Sequence, residues 1–344
     1  MAWADTPTSL SRIVTEHAML TGMARPKRDD VELASYAAEI QALREQELQE
    51  VGYLGRLFTQ FSLPYKDPGL DKTVWGRQSG AYRISVQPGM VVEDGQPKSY
   101  GFPYGGIPRL ILAHLSTEAV LTGEPVIVLG NSQSEFMRTV GLGRATGGKT
   151  GTIGRFQNQT ERLLRCSIII DYRDSNVQSR SKAIKLSVAT GWDLWWTGRQ
   201  ADQPRRGGKI QPSRMPSTIN LSNEFFKEVL AHPVPVDMKV LNALQSSPMA
   251  MDIYIWLTYR VFKLEDPVRI SWPLLMLQFG TALADTKQGR HQFRRDLQKH
   301  LDAVRAFYPD LNVTVDAQKG LTLYPSPTHV LKKPSRRLHA VPHD

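Results

Sequence analysis

The chain has 344 residues, of which 41% are hydrophobic and 22% are charged, a composition typical of a folded protein with two or three domains. Its longest apolar runs fall far short of the ~20 residues that a membrane helix needs, and its first residues lack the pattern of a signal peptide, so the sequence predicts a cytoplasmic protein. The formal net charge of +10 favours a polyanionic partner.

Residues 1–75 are predicted to form an N-terminal helical arm and a linker. The stretch 29–61, DDVELASYAAEIQALREQELQEVGYLGRLFTQF, combines strong helix formers with acidic residues in its first turn. Its apolar residues are spaced for one packed face, and we expect the arm to pack against the domain that follows or to mediate self-association. The Pro- and Gly-bearing stretch 62–72, SLPYKDPGLDK, separates the arm from that domain.

The stretch 143–150, GRATGGKT, fits the phosphate-binding pattern G-x-x-x-x-G-K-[ST]. A phosphate loop requires a buried strand before its glycines, whereas here Ser132 and Glu135 form a capping box and Gly141 occupies a helix C-cap position. A short helix therefore enters the loop. The acidic run SIIID at 167–171 also follows too soon for the strand of a nucleotide-binding sheet. The order helix, glycine turn, helix favours a helix–turn–helix over an ATPase, and we expect no cofactor.

Residues 76–232 are predicted to form a first winged-helix domain, for dimerisation and DNA binding. Pro108 opens a helix, GEPVIVLG at 123–130 is a short strand, and CSIIIDY, KAIKLSVAT and GWDLWW within 166–196 are strands. Helix, strand, helix, helix and strand hairpin is the order of a winged helix, whose recognition helix enters the DNA major groove. A solvated helix face is the alternative for its polar side. The residues predicted to face the groove are Lys149, Thr150, Thr152, Arg155, Asn158, Gln159 and Arg162.

Residues 233–326 repeat this order of elements and predict a second winged-helix domain for DNA binding. A helix capped by Ser247, with Pro248 at its first position, is followed by a short strand, a short helix ending at Gly280, a turn and a longer helix at 290–308. Apolar residues of the longer helix form a core stripe made of Phe293, Leu297, Leu301, Val304 and Phe307. The side chains off this stripe are mainly basic and, together with Lys287 in the preceding turn, are predicted to contact DNA: Arg290, His291, Arg294, Arg295, Gln298 and Lys299.

Two further basic segments are rich in Pro or Gly and lack periodicity. The stretch 197–216, TGRQADQPRRGGKIQPSRMP, lies between two strands and is either a wing that reaches DNA through Arg205 and Arg206 or a solvated loop. The tail at 327–344 is predicted to be disordered, with non-specific phosphate attraction at most.

Catalytic chemistry and metal binding are not predicted. Enzymes that nick a replication origin need a metal-holding His-x-His pair and a nucleophilic tyrosine, and none of the eight histidines forms such a pair. Tyr254 and Tyr259 lie in an apolar helix, where a core or interface role is expected. The single cysteine, Cys166, excludes an internal disulfide and lies in an apolar run, so a buried, inert thiol is expected.

Several stretches resemble RepA-type plasmid replication initiators, in the family's order over roughly residues 80–325. The resemblance rests on GFPYGGIPRLILAHLSTEAV (101–120), SEFMRTVGL with TGGKTGTIGRF (146–156), HPVPVD (232–237), and SPMAMDIYIWLTYR (247–260) followed by ISWPLLMLQFG. It implies an α+β fold with two tandem winged-helix domains, and a bacterial protein that binds direct repeats (iterons) in double-stranded DNA at a plasmid origin.

The same resemblance implies partners and regulation. It implies opening of an adjacent A+T-rich segment, recruitment of the host initiator and the replicative helicase, and autorepression by a homodimer. A dedicated winged-helix transcriptional repressor without initiator activity is the alternative, because tandem winged helices serve that role equally well.

Overall fold

The computed structural model describes residues 28–46, 49–60, 62–143, 145–148, 151–173, 181–196, 216–280 and 286–330. Within these ranges the fold mixes α-helices with several small antiparallel sheets. The helices are α1 Arg28–Glu45, α2 Gly106–Thr122, α3 Gln133–Thr139, α4 Thr152–Arg165, α5 Asn223–Ala231, α6 Met238–Ala243, α7 Pro248–Val261, α8 Trp272–Phe279 and α9 Lys287–Phe307, with a 3-10 turn at Arg56–Thr59. The strands are β1 Val51–Gly55, β2 Trp75–Ser79, β3 Tyr82–Gln87, β4 Met90–Glu93, β5 Gln96–Ser99, β6 Val126–Val128, β7 Ser167–Arg173, β8 Ser181–Leu186, β9 Ala189–Asp193, β10 Thr218–Leu221, β11 Pro233–Asp237, β12 Val268–Ile270, β13 Val313–Asp316 and β14 Gly320–Leu323.

Within the described residues of the N-terminal arm, only Arg28–Glu45 is α-helical. Helix α1 ends at Glu45, and the chain then forms strand β1, which pairs antiparallel with β11 in the register Val51 to Asp237. The predicted continuation of the helix to residue 61 is wrong, because the glycines of VGYLG disfavour a helix and the strand from the distant β11 offers main-chain partners. Helix α1 packs on α9 and α6 rather than on the first predicted domain. Arg44 Nη1 forms an ion pair with Asp310 Oδ2 at 2.7 Å.

The first helix–strand unit contains α2, β6, α3, α4, β9 and β10. Its three-stranded sheet has the order β6–β10–β9, with Ile219 of β10 opposite Ile127 on one side and Trp192 on the other. Strands β7 and β8 do not join this sheet. They extend the β2–β3 hairpin into a separate four-stranded sheet of order β2–β3–β7–β8. The prediction that CSIIIDY and KAIKLSVAT supply the winged-helix hairpin is therefore wrong. An alternation of apolar and polar residues identifies a strand but does not identify the strand with which it pairs.

The second unit contains α7, β12, α8, α9, β13 and β14, in a sheet of order β12–β14–β13. Its predicted helix start is confirmed, because the Ser247 hydroxyl accepts a hydrogen bond from the Ala250 N–H at 3.4 Å and Pro248 is the first helical residue. Both units thus have the same element order and place their third strand between the first two. One continuous hydrophobic core runs through both.

The chain beyond β14 is packed up to the last described residue, 330. His329 is fully buried, its Nδ1 lies 2.9 Å from Tyr254 Oη, and its carbonyl accepts a hydrogen bond from Gln49 Nε2 at 3.1 Å. The predicted start of a disordered tail at residue 327 is therefore wrong for residues 327–330, whereas residues 331–344 lie outside the described residues.

Candidate nucleic-acid interface

Helix α3 leads into α4 through a glycine-containing turn. The predicted cap of α3 is confirmed: the Ser132 hydroxyl accepts from the Glu135 N–H at 3.2 Å, and Gly141 takes a left-handed conformation (φ +83°) with its N–H on the Arg138 carbonyl at 2.9 Å. Such a left-handed C-terminal residue ends a helix and satisfies its last carbonyls. Because a helix and not a strand enters the loop at 143–151, the loop lacks the architecture of a phosphate-binding loop.

The start of α4 is held by two threonines. The Thr146 N–H donates to the Thr152 hydroxyl at 3.0 Å, and the Thr152 N–H donates back to the Thr146 hydroxyl at 3.1 Å. The second of these bonds satisfies an N–H group that a helix start leaves without a partner, and the first ties the preceding loop to it. The pair of bonds also engages the Thr152 side chain, which was predicted to face the groove, in a local cap.

Helix α4 has a buried face and a small exposed polar face. Phe156, Leu163 and Leu164 are buried against the core. Arg155 and Asn158 are exposed, as the predicted groove-facing residues should be. Together with the half-buried Thr152, they form what we call the α4 polar face.

Two residues predicted on that face are inside the protein. Gln159 is 4% exposed, and its side-chain oxygen accepts from the Tyr104 N–H at 2.8 Å. Arg162 is 8% exposed and donates through Nη1 to Asp67 Oδ2 at 2.8 Å and to the Phe102 carbonyl at 3.1 Å. Their predicted position on the exposed face is wrong, because the segments before β2 and after β5 pack on this side of α4 and supply Asp67, Phe102 and Tyr104 as polar partners, which local helical spacing does not reveal.

Four predicted contact residues cannot be placed. Lys149, Thr150, Arg205 and Arg206 lie outside the described residues.

Helix α9 carries the larger basic surface. Thr286 caps it by accepting from the Gly289 N–H at 3.0 Å, and the predicted core stripe from Phe293 to Phe307 is confirmed, with every member at most 2% exposed. The opposite side is exposed and defines what we call the α9 basic face: Lys287, Arg290, His291, Arg295, Gln298 and Lys299. Asp296 lies to one side of it and accepts from Gln292 Nε2 at 2.7 Å.

Arg294 differs from its neighbours on α9. It is half-buried, with its guanidinium 5.4 Å from the centre of the Trp272 ring on α8. A cation stacked on an indole is stabilised by the negative face of the ring. The prediction that Arg294 is an exposed contact residue is wrong in this respect, since its side chain joins α8 to α9.

An open cleft of about 1800 Å³ separates the two units on the side of α4. One wall is the α4 polar face, and the other includes Asp296 and His300 of α9 and Tyr36 of α1. Three lysines that were not predicted as contact residues also line the cleft: Lys66, Lys72 and Lys239. Lys66 and Lys72 lie in the connection before β2 and Lys239 lies in the short helix α6, so no basic periodic pattern points to any of them.

The remaining predictions about chemistry concern Cys166 and metal ions. Cys166 is 1% exposed, as predicted, and burial raises the pKa of its thiol to about 12, which keeps it protonated. In the part of the chain that the structure describes, no three His, Cys, Asp or Glu side chains are grouped as metal ligands. Among the described helices, none combines the length and the apolar composition needed to cross a membrane.

Comparison with known proteins finds a matching family for the central part of the chain. Residues 102–272 match the model of a family described as plasmid encoded RepA protein. Among solved structures, the chain is similar to the crystal structure of domain 2 and domain 3 of RctB, with 12% sequence identity, a TM-score of 0.45, and coverage of 79% of this chain and 96% of that one. Among curated proteins the sequence has no significant match.

Proposed function

Through residues 102–272 the chain belongs to the family of plasmid-encoded RepA proteins, DNA-binding initiators of plasmid replication, and we propose that it initiates replication by binding direct repeats at its origin. The repeats are double-stranded DNA in the bacterial cytoplasm. Helix α4 and helix α9 each enter the major groove of one segment of a repeat, and the α9 basic face makes most of the base contacts.

We infer that the two helix–strand units are tandem winged helices. In each unit, helix, strand, helix, helix and two strands occur in that order, interrupted in the first unit by β7 and β8 of the separate four-stranded sheet, and the sheet orders β6–β10–β9 and β12–β14–β13 place the third strand centrally. The connections between the last two strands are then the wings. In the first unit this connection spans 194–217 and includes Arg205 and Arg206, which are proposed to reach the DNA backbone.

The observation that carries the proposal is the division of α9 into two faces. Its apolar stripe is buried, while over residues 287–299 the opposite side presents lysine, arginine and histidine side chains to solvent; the first exposed acid on that side is Asp302, which pairs with Arg305. A helix face of one sign suits the phosphate backbone, and arginine can bond guanine bidentately. Arg155 and Asn158 supply a smaller surface of the same kind on α4.

The proposed partners beyond DNA are the host initiator, the replicative helicase and a second copy of the chain. The family membership supports these partners as a group. The boundaries 76–232 and 233–326 are kept as the proposed extents of the two DNA-binding domains, with 1–75 as arm and linker.

The test of DNA recognition is fluorescence anisotropy with the purified full chain and no nucleotide. Wild-type protein is titrated with DNA flanking its own gene and with scrambled DNA of equal composition, at several salt concentrations. We expect preference for a direct-repeat array and a logarithmic salt slope near −7 if about eight phosphates are neutralised. The double variant Arg295→Ala, Lys299→Ala should bind more weakly with a smaller slope, whereas Lys227→Ala, an exposed lysine of α5, should bind as wild type. Equal, weak binding to both DNAs would overturn the proposal.

Two further measurements separate the proposal from its alternatives. A plasmid that carries the repeats and no other origin should replicate only when the gene is supplied; failure of replication despite repeat binding would favour a dedicated repressor. ATP hydrolysis should be at background for wild type and unchanged by Lys149→Ala, since the loop lacks the strand that a phosphate loop needs.

A further inference from the structure

We propose that the contact surface between the two helix–strand units sets the spacing and rotational phase of the two DNA segments read by α4 and α9. Arg77 and Gln245 are the positioning residues of this surface. The inference rests on the proposed DNA-binding function and adds to it a determinant of which repeats are accepted.

A buried ion pair joins the first helices of the two units. Arg109 of α2 contacts Asp252 of α7 through Nε and Nη2, at 2.7 and 2.8 Å. The remaining guanidinium hydrogens bond to the carbonyls of Gly105 and Leu63 at 2.6 and 2.7 Å. A pair with its hydrogen bonds satisfied in this way defines one relative orientation of α2 and α7, because rotation of either helix would leave a buried charge without a partner.

A second contact reaches the helix–turn–helix of the second unit. Arg77 of β2 donates a hydrogen bond to the Gly280 carbonyl, and its guanidinium lies 5.1 Å from the Trp75 ring. Gly280 ends α8 and directly precedes the connection to α9. The four-stranded sheet of β2, β3, β7 and β8, which continues directly from α4 through β7, is thereby attached to the C-terminal end of α8, the helix that precedes α9.

Close backbone approaches form the third contact. A Cβ atom on Gly106, the first residue of α2, would overlap the Gln245 carbonyl, and one on Gly141 would overlap the Asn242 side chain. Gln245 Nε2 also donates to the Gly141 carbonyl at 3.2 Å. The turn between α6 and α7 therefore packs directly against the end of α3, one loop before α4.

These contacts connect both recognition helices to one interface and leave them little freedom to move independently. DNA has a helical repeat of about 10.5 base pairs, so each inserted base pair moves a binding segment by about 3.4 Å and rotates it by about 34°. A protein with a rigid interface cannot follow such a change. Loosening the interface should widen the range of spacings that it accepts.

The first experiment measures affinity for repeats in which base pairs are inserted or removed between the two segments protected by the protein in a footprint. For wild type, we expect at least ~10-fold weaker binding when five base pairs are inserted, because the second segment turns to the opposite side of the helix. The variants Arg77→Met and Gln245→Ala should retain affinity for the natural spacing within ~3-fold and should discriminate less against the insertions. Arg83→Met is the matched control, since Arg83 is an exposed arginine of the neighbouring strand β3.

The second experiment measures the distance between the units without DNA. Spin labels are attached to Gly154→Cys on α4 and Lys299→Cys on α9; a side chain at Gly154 meets open space, and the native Cys166 is buried. A narrow distance distribution in wild type that broadens in Arg77→Met, but not in Arg83→Met, supports the proposal. A distribution equally broad in all three proteins overturns it.

The two proposals fail in different ways. If the protein prefers no DNA sequence, the proposed function fails, and this inference with it. If it binds direct repeats but tolerates every spacing, or if Arg77→Met and Arg83→Met have the same spacing profile, only the inference fails.

Discussion

Arg109 and Asp252 form a bidentate ion pair, with nitrogen–oxygen distances of 2.7 and 2.8 Å, although 143 residues separate them in the sequence. Both side chains are buried, at 4% and 7% exposure. Each lies on the first helix of its own helix–strand unit. The pair therefore links the stability of the two units, and we expect them to unfold together.

Asp252→Ala should destabilise the whole chain by about 3–5 kcal/mol, because it leaves the Arg109 guanidinium buried without its counter-charge. Urea unfolding followed by circular dichroism measures this change. The double variant Arg109→Met, Asp252→Leu should recover most of the loss, since apolar residues of similar volume need no partner. Asp302→Ala, which removes an exposed pair with Arg305 on α9, should change stability by less than about 1 kcal/mol. Equal effects of Asp252→Ala and Asp302→Ala would contradict the buried pairing.

Arg155→Ala and Arg162→Ala should have different effects, although both arginines lie on α4. Arg155 is exposed, so its loss should weaken DNA binding and leave the unfolding midpoint unchanged. Arg162→Ala removes contacts to Asp67 and Phe102 and should cost about 2–3 kcal/mol of stability. Thermal unfolding and anisotropy on the same preparations separate the two effects. If the Arg162→Ala protein is as stable as wild type but binds DNA more weakly, the structural role of Arg162 is contradicted and a direct DNA contact is supported.

Adjacent arginines of α9 provide a similar comparison. Arg294→Ala should lower stability by about 0.5–2 kcal/mol, because it removes the guanidinium from the Trp272 ring. Arg295→Ala, at an exposed site, should keep stability within about 0.5 kcal/mol of wild type and weaken specific DNA binding by about 1–3 kcal/mol if it contacts a base. Chemical unfolding and DNA titration test the pair. The expected assignment fails if the two variants are equally stable.

The free energy of unfolding should decrease as the pH is lowered from 7 to 5, and His114 should account for part of this decrease. This histidine of α2 packs on Phe136, and burial lowers its pKa to about 4. The unfolded state, with a pKa near 6.5, binds a proton that the folded state excludes, so stability present at pH 7 is lost as pH falls toward 4. His114→Phe removes this titration and should be less sensitive to acid, by about 2 kcal/mol at pH 5 relative to wild type. Unfolding free energies at pH 7 and pH 5 give the comparison; parallel losses in both proteins would contradict it.

The order of helices and strands in both units could be predicted from the sequence. The stripe from Phe293 to Phe307, the caps at Ser132 and Ser247, and the helix that precedes the glycine loop are all local patterns with local physical causes. A core stripe repeats at the helical period, and a cap requires a specific side chain at a specific place. The basic face of α9 follows from the same periodicity, because residues off an apolar stripe face away from the core.

The partners of each element were decided only by the tertiary structure. The alternation of apolar and polar residues identified β7 and β8 as strands. In the structure, β7 pairs with β3 of the β2–β3 hairpin and β8 pairs with β7, so both belong to a separate sheet. Helical spacing placed Arg162 on a polar face, and a loop almost 100 residues earlier in the chain buried it against Asp67. The ion pair of Arg109 with Asp252 has no local signature. Periodicity reports which side of an element is apolar, whereas the partner on that side is chosen by packing between distant segments, and this choice sets the arrangement of the two proposed DNA-reading helices.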